Sequence, residues 1–208
     1  MTKALGAAAT PGLRWRMVPW SRCVRCLPAL ALALLLALGT TGTALADQND
    51  PALDGLFRDL KAAQSPQEVR QIEVQIWTLW FDTGSEEMDR MLMAGDRAMS
   101  RGQFDESYAI LNGVIEHLPD LSEGWNRRAT LRYLMGDYEG SIADIGETLK
   151  REPRHFGALS GLGLCNIALG NKEEALDAFE RALIHNPHMP GVKLRVEQLR
   201  DRLGRHAI

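Results

Sequence analysis

The side chains best suited to metal ligation, proton transfer or nucleophilic attack are five histidines, His117, His155, His185, His188 and His206, and three cysteines, Cys23, Cys26 and Cys165. His185 and His188 stand three apart, but Pro187 between them ends any helix that would place both on one face, so zinc is not expected there. His117 and His185 fall near the ends of predicted helices, where an imidazole meets the last free carbonyls. Cys23 and Cys26 have the C-x-x-C spacing of a redox pair, yet Leu27 follows, which rules out the haem-attachment form. Cys165 stands alone among Leu162, Leu164, Ile167 and Ala168, the setting of a buried, inert thiol. There is no P-loop, H-E-x-x-H or G-x-S-x-G motif. Gly161-Leu162-Gly163 begins like a dinucleotide loop, but Asn166 stands where the third glycine belongs. No catalytic residue, metal or cofactor is therefore assigned.

Residues 1–46 read as an export signal. Lys3, Arg14, Arg16, Arg22 and Arg25 precede the Leu- and Ala-rich run Leu27–Leu38, and Ala44-Leu45-Ala46 offers a small-x-small cleavage site. Cys23 and Cys26 would leave with it. The apolar run falls short of the roughly 20 residues of a spanning helix, so an uncleaved membrane anchor is the alternative and cleavage after Ala46 the expectation. A start at Met17 would give a signal of more usual length. The protein is thus expected to be periplasmic or secreted, with no membrane insertion after cleavage. Cleavage leaves 19 Lys and Arg against 27 Asp and Glu, a formal charge of −8 instead of −3. That balance excludes a nucleic-acid partner, which needs a basic surface.

The elements that must position any site repeat with one period. Pro119, Pro153 and Pro187 are 34 apart, as are Gly102, Gly136 and Gly170. Small residues stand in register at Gly95, Ala129 and Gly163, and larger apolar ones at Leu111, Ile145 and Phe179. Each unit should be two antiparallel helices: the later glycine ends the first, the small residue lets the pair approach, and proline closes the second. No pair buries its apolar face alone, so the units must stack.

These residues resemble the tetratricopeptide repeat family. The third unit carries Leu162, Gly163, Gly170, Ala175, Phe179, Ala182 and Pro187; the second carries Trp125, Ala129, Gly136, Tyr138 and Pro153. Ala98, Arg132 and Asn166 replace the family's helix-A tyrosine, and Ser107 and Ser141 replace the helix-B alanine in two units. The implied fold is all-α, an antiparallel helix-pair solenoid of three units at 88–121, 122–155 and 156–189. An N-terminal helical hairpin (47–87) precedes it and a C-terminal capping helix (190–208) follows. The resemblance also implies a groove lined by first helices, mapping here onto Leu92, Asp96, Met99, Asn126, Thr130, Tyr133, Ser160, Leu164 and Ile167. Of the Lys and Asn residues with which one subfamily clamps a terminal carboxylate, only Asn126 has a counterpart, so that mode is not expected.

In the flanking hairpin, Asp50-Pro51 and Ser65-Pro66-Gln67-Glu68 read as helix starts, the second as a capping box. Trp77, Trp80 and Phe81 are expected to pack on the first helix of the first unit, with an aromatic partner-binding platform as the alternative. Arg127, Arg128 and Arg132 are expected to pair with neighbouring acids, an anion-facing patch being the alternative. The functional expectation is an exported scaffold that binds a peptide or protein partner in the groove, with a role in envelope complex assembly or maturation. The alternatives are a complex subunit docking through the Trp77/Trp80 hairpin, or an enzyme or small-ligand receptor.

Overall fold

Asp50 and Ser65 each open a helix by accepting a backbone N–H that would otherwise lack a partner. The structure, a computed structural model, describes residues 50–204. In it the Asp50 carboxylate accepts from Ala52 N at 2.7 Å, and α1 runs Ala52–Ala62. Ser65 Oγ accepts from Glu68 N while Glu68 Oε2 accepts from Ser65 N, the expected capping box, ahead of α2, Pro66–Phe81. There follow α3 Glu86–Ser100, α4 Phe104–His117, α5 Ser122–Met135, α6 Tyr138–Arg151, α7 Phe156–Leu169, α8 Lys172–His185 and α9 Pro190–Arg202. The export segment 1–46, with Met17, Cys23 and Cys26, lies outside the described residues, as does His206. Among the described residues no helix is long and apolar enough to cross a membrane.

α3/α4, α5/α6 and α7/α8 pack as adjacent pairs, each pair against the next. Gly102, Gly136 and Gly170 end the first helix of each pair with φ of 73°, 81° and 84°. A Cβ there would meet nothing within 4 Å, so the requirement is for left-handed backbone, not space. At Gly163 the requirement is space: a Cβ would stand 2.5 Å from the Phe179 ring. Gly163→Ala should therefore cost about 1–3 kcal/mol in urea unfolding. Gly95→Ala should cost less, because its Cβ would stand 2.8 and 2.9 Å from Cδ2 and Cγ of Leu111, a milder overlap than at Gly163.

Both serines that depart from the family pattern have a physical account. Ser107 Oγ donates to Gly95 O at 2.9 Å and Ser141 Oγ to Ala129 O at 2.8 Å. Each buried hydroxyl thus ties the second helix to a carbonyl of the first, a bond alanine could not make. Cys165 is fully buried and donates to Ser141 Oγ at 3.3 Å. Burial pushes its thiol pKa up, so it is inert, as expected.

The capping helix α9 buries Val192, Val196 and Leu199 against Leu176, Phe179 and Ala182. It also continues the period: Gly204, 34 residues after Gly170, has φ 65°. α9 is thus the first helix of a further unit. Where the earlier first helices place Gly95, Ala129 and Gly163, it carries the exposed Glu197. A carboxylate at that position solvates the face on which another helix would otherwise pack, which suits a solenoid's end.

The N-terminal hairpin departs from expectation. Leu53, Phe57, Leu60, Val69, Ile76 and Trp80 form one core cluster whose remaining buried member is Phe156, at the start of α7. Trp77 and Trp80 therefore pack not on the first unit but at the junction of the second and third, against His155 and Phe156. Phe81 alone joins the first unit's cluster, beside Leu92 and Leu111. The hairpin is not a further stacked repeat. It folds across the solenoid, with Trp77 and Trp80 of α2 against Phe156 at the start of α7 and Phe81 against the first unit.

A groove closed by the N-terminal hairpin

The first helices of the three pairs, α3, α5 and α7, share two clefts. One, of about 390 Å3, is lined by Asp96, Met99, Asn126, Thr130 and Arg127, with Trp77 and Phe81 from the hairpin. The other, of about 180 Å3, shares Asn126 and Thr130 and adds Tyr133, Ser160 and Leu164. Seven of the nine residues mapped to the groove are thus brought together. Leu92 is a correction: it is fully buried in the first unit's core with Leu111, Val114 and Leu131, and offers nothing to a ligand. Ile167 lies exposed on α7 and lines neither cleft.

The arginine triplet is internally matched. Arg127 pairs with Asp96 and Glu123 and lies 4.0 Å over the Phe81 ring. Arg128 makes a two-pronged contact to Asp144 at 2.7 and 2.8 Å and donates to Asn112. Arg132 contacts Asp144 at 3.3 Å and donates to Gly140 O and the Tyr108 hydroxyl. These guanidiniums are spent on the fold, as the salt-bridging expectation held, and no anion-facing patch is left. Asn126 donates to Glu123 Oε2 at 2.9 Å, so the one residue reminiscent of a carboxylate clamp is also engaged.

Beneath the clefts lies a buried polar cluster that spacing did not reveal. Glu123 and His155 are both fully buried, with His155 Nε2 and Glu123 Oε2 3.0 Å apart. His155 also caps α7: its Nδ1 accepts from Ala158 N at 3.0 Å. That bond places the ring proton on Nε2, so His155 donates to the carboxylate. Burial raises the pKa of Glu123, but the hydrogen bond from His155 and the charge of Arg127 outweigh it, and the carboxyl is held below its ordinary value. The Trp80 ring stacks on His155 at 4.1 Å and 12°, and its Nε1 donates to the buried Glu152 at 3.4 Å. Arg154 ties Glu152 to Asp54 on α1 and lies 4.7 Å over Phe57. A glutamate–histidine pair has the parts of a general acid–base device, but here both side chains are fully buried, Trp80 covers the His155 ring, and Glu123 forms the floor of the Arg127 cleft.

These residues belong to different units or to the hairpin, and no single helical period links Glu123, His155 and Trp80. One signal was present at Gly157. The positions equivalent to it in the other units are Asp89 and Glu123, and a Cβ at Gly157 would stand 2.8 Å from Trp77. The missing side chain marks where α2 crosses. Of the histidines assigned to helix ends, His117 behaves as expected, its Nδ1 lying 2.7 Å from Gly113 O. His185 instead packs edge-on against Phe57, and burial holds its pKa below the ordinary imidazole value. Among the described residues no group of three or more His, Cys, Asp or Glu is placed to hold a metal.

Comparison with known proteins agrees with this geometry. Residues 126–190 match the family model described as tetratricopeptide repeat. A tetratricopeptide repeat-containing protein of Rhizobium etli is 36% identical over 151 residues, covering 73% of this chain and 74% of that protein. Among solved structures, the tetratricopeptide domain of Sgt2 from Aspergillus fumigatus aligns with a TM-score of 0.55 at 19% identity, over 58% of this chain and 81% of that one. The type III secretion chaperone SycD of Yersinia enterocolitica, in complex with a peptide of the translocator YopD, aligns with a TM-score of 0.54 at 13% identity, over 57% and 96%. At such identities the structural matches speak for the fold.

Proposed function

The chain belongs to the tetratricopeptide repeat proteins, and on that premise we propose that it is an exported, non-catalytic scaffold holding a peptide or protein partner on the face formed by α3, α5 and α7. The observation that carries this reading is the pair of clefts meeting at Asn126 and Thr130. Thr130 is exposed there, between Met99 on one side and Tyr133 and Leu164 on the other. Such a surface suits apolar side chains of an extended or helical segment. The SycD structure holds a peptide of YopD, and that precedent supports the same use here. Of the alternative docking surface at Trp77 and Trp80, the Trp80 half is not retained, since that ring is 1% exposed and committed to the core, whereas Trp77 borders two openings. The commitment of Glu123 and His155 to buried bonds within the fold likewise favours a scaffold over an enzyme. Export to the periplasm rests on residues 1–46, and a role in envelope assembly or maturation rests on that export.

A photo-crosslinking residue at Thr130 in the native cell tests the scaffold reading. A defined crosslinked product is expected from Thr130, weakened by Tyr133→Ala and absent when the probe sits at Glu173 on α8. Equal products from both positions, or none from Thr130, would overturn it. The mature protein should begin at Asp47; an N-terminus that retains the apolar run would overturn cleavage after Ala46.

A further inference from the structure

Trp77 and Phe81 line not one opening but two. Besides the Arg127 cleft, they wall a larger opening of about 550 Å3 between α2 and α3. Its other apolar walls are Val74 and Met93, which are 63% and 49% exposed. Its polar lining is Thr78 and two carboxylates, Asp82 and Asp89, with no cationic residue among the lining side chains. Scattered exposed apolar residues need no explanation, but two facing each other across an aromatic-walled cleft form a docking surface.

The two carboxylates are held in place by their own chain. Asp89 Oδ1 accepts the Thr83 hydroxyl at 2.7 Å and Thr83 N at 3.2 Å. Asp82 Oδ1 accepts Gly84 N at 2.9 Å. Neither forms an ion pair within the described residues, so their charges face the opening unneutralised. Glu86 and Glu87 add to the negative potential in the first turn of α3. The neighbouring cleft shows that an aromatic face here attracts a cation, since Arg127 lies over the Phe81 ring.

We propose that this opening binds a partner segment in which an apolar side chain lies next to a lysine or arginine. The apolar group enters between Val74, Trp77 and Met93, and the cation meets Asp82 and Asp89. The proposal rests on the scaffold reading and narrows it, because an acidic peptide tail would meet like charge at this entrance.

The full chain should be titrated by fluorescence anisotropy with a labelled peptide alternating leucine and lysine, against leucine–glutamate and serine–lysine peptides of equal length. Only the leucine–lysine peptide should bind. Asp82→Asn with Asp89→Asn should weaken it at least about tenfold, since two charge contacts are lost. Val74→Ser with Met93→Ser should do likewise. The Asn variants keep the acceptors used by Thr83 and Gly84, and unchanged thermal unfolding would verify their fold. Equal binding of the leucine–glutamate peptide, or an affinity indifferent to both pairs of substitutions, overturns the proposal. If no peptide binds while the Thr130 crosslink persists, this site falls and the scaffold stands. If the crosslink is lost as well, the premise falls with it.

Discussion

Trp80→Ala is expected to lower the free energy of unfolding by about 3–5 kcal/mol, a substantial part of the total for a domain of this size. The indole is 1% exposed, and it joins three things that no other residue joins. It fills the hairpin core beside Phe57 and Phe156. It covers His155 face to face, and it donates to Glu152. Truncation leaves a cavity and removes one of the two donors to the buried Glu152 Oε2, leaving Arg154 as its remaining partner. The repeats themselves do not depend on Trp80 for their internal packing, so the hairpin should loosen first. A lowered urea midpoint and faster proteolytic cutting between Ala63 and Ser65 would register that order. A midpoint unchanged from the parent would mean that the hairpin does not pack on α7.

Glu123→Ala should cost a similar amount, about 3–5 kcal/mol, because it strips partners from His155, Arg127 and Asn126 at once. Glu123→Gln should cost less, since its carbonyl oxygen still accepts from His155. The pH dependence separates the two roles of this carboxylate. Its folded pKa lies below the ordinary value of 4.5, so its contribution is complete above about pH 4.5 and is lost as pH falls below that. In Glu123→Gln this acid-sensitive component should disappear. His185 acts in the same direction at higher pH: burial favours its neutral form, so its contribution is full above its ordinary 6.5 and declines as pH falls below it. Urea midpoints measured from pH 7 to about pH 3 should therefore fall in two stages, and His185→Gln should remove the first.

How much of this was legible in the chain depends on how far apart the cooperating residues lie. The period of 34 carried the helix pairs, because each pair's glycine, small residue and proline act on neighbours within the same unit. Capping at Asp50 and Ser65 was legible for the same reason, the bonds spanning two or three residues. The groove was legible by transfer of register, and that transfer failed at Leu92, where the first unit's core claims the side chain. Trp77 and Trp80 were recognised as apolar and heavy, but they were assigned to the first unit, whereas they pack at the junction of the second and third.

That misplacement has one physical cause. A tryptophan buries against whichever surface offers a gap of its size, and the gap here is made by the absence of a side chain at Gly157, 80 residues after Trp77. Local patterning states that α2 must hide its aromatic face; it does not state where. By itself the sequence determined the repeat, the helix ends, the inert thiol and the absence of a recognisable catalytic motif, since these follow from backbone conformation and short-range packing. Only the tertiary structure decided that the hairpin closes the groove and that Glu123 and His155 meet beneath Trp80. It also decided that an acidic, apolar opening remains between α2 and α3, because long-range packing alone brings those surfaces together.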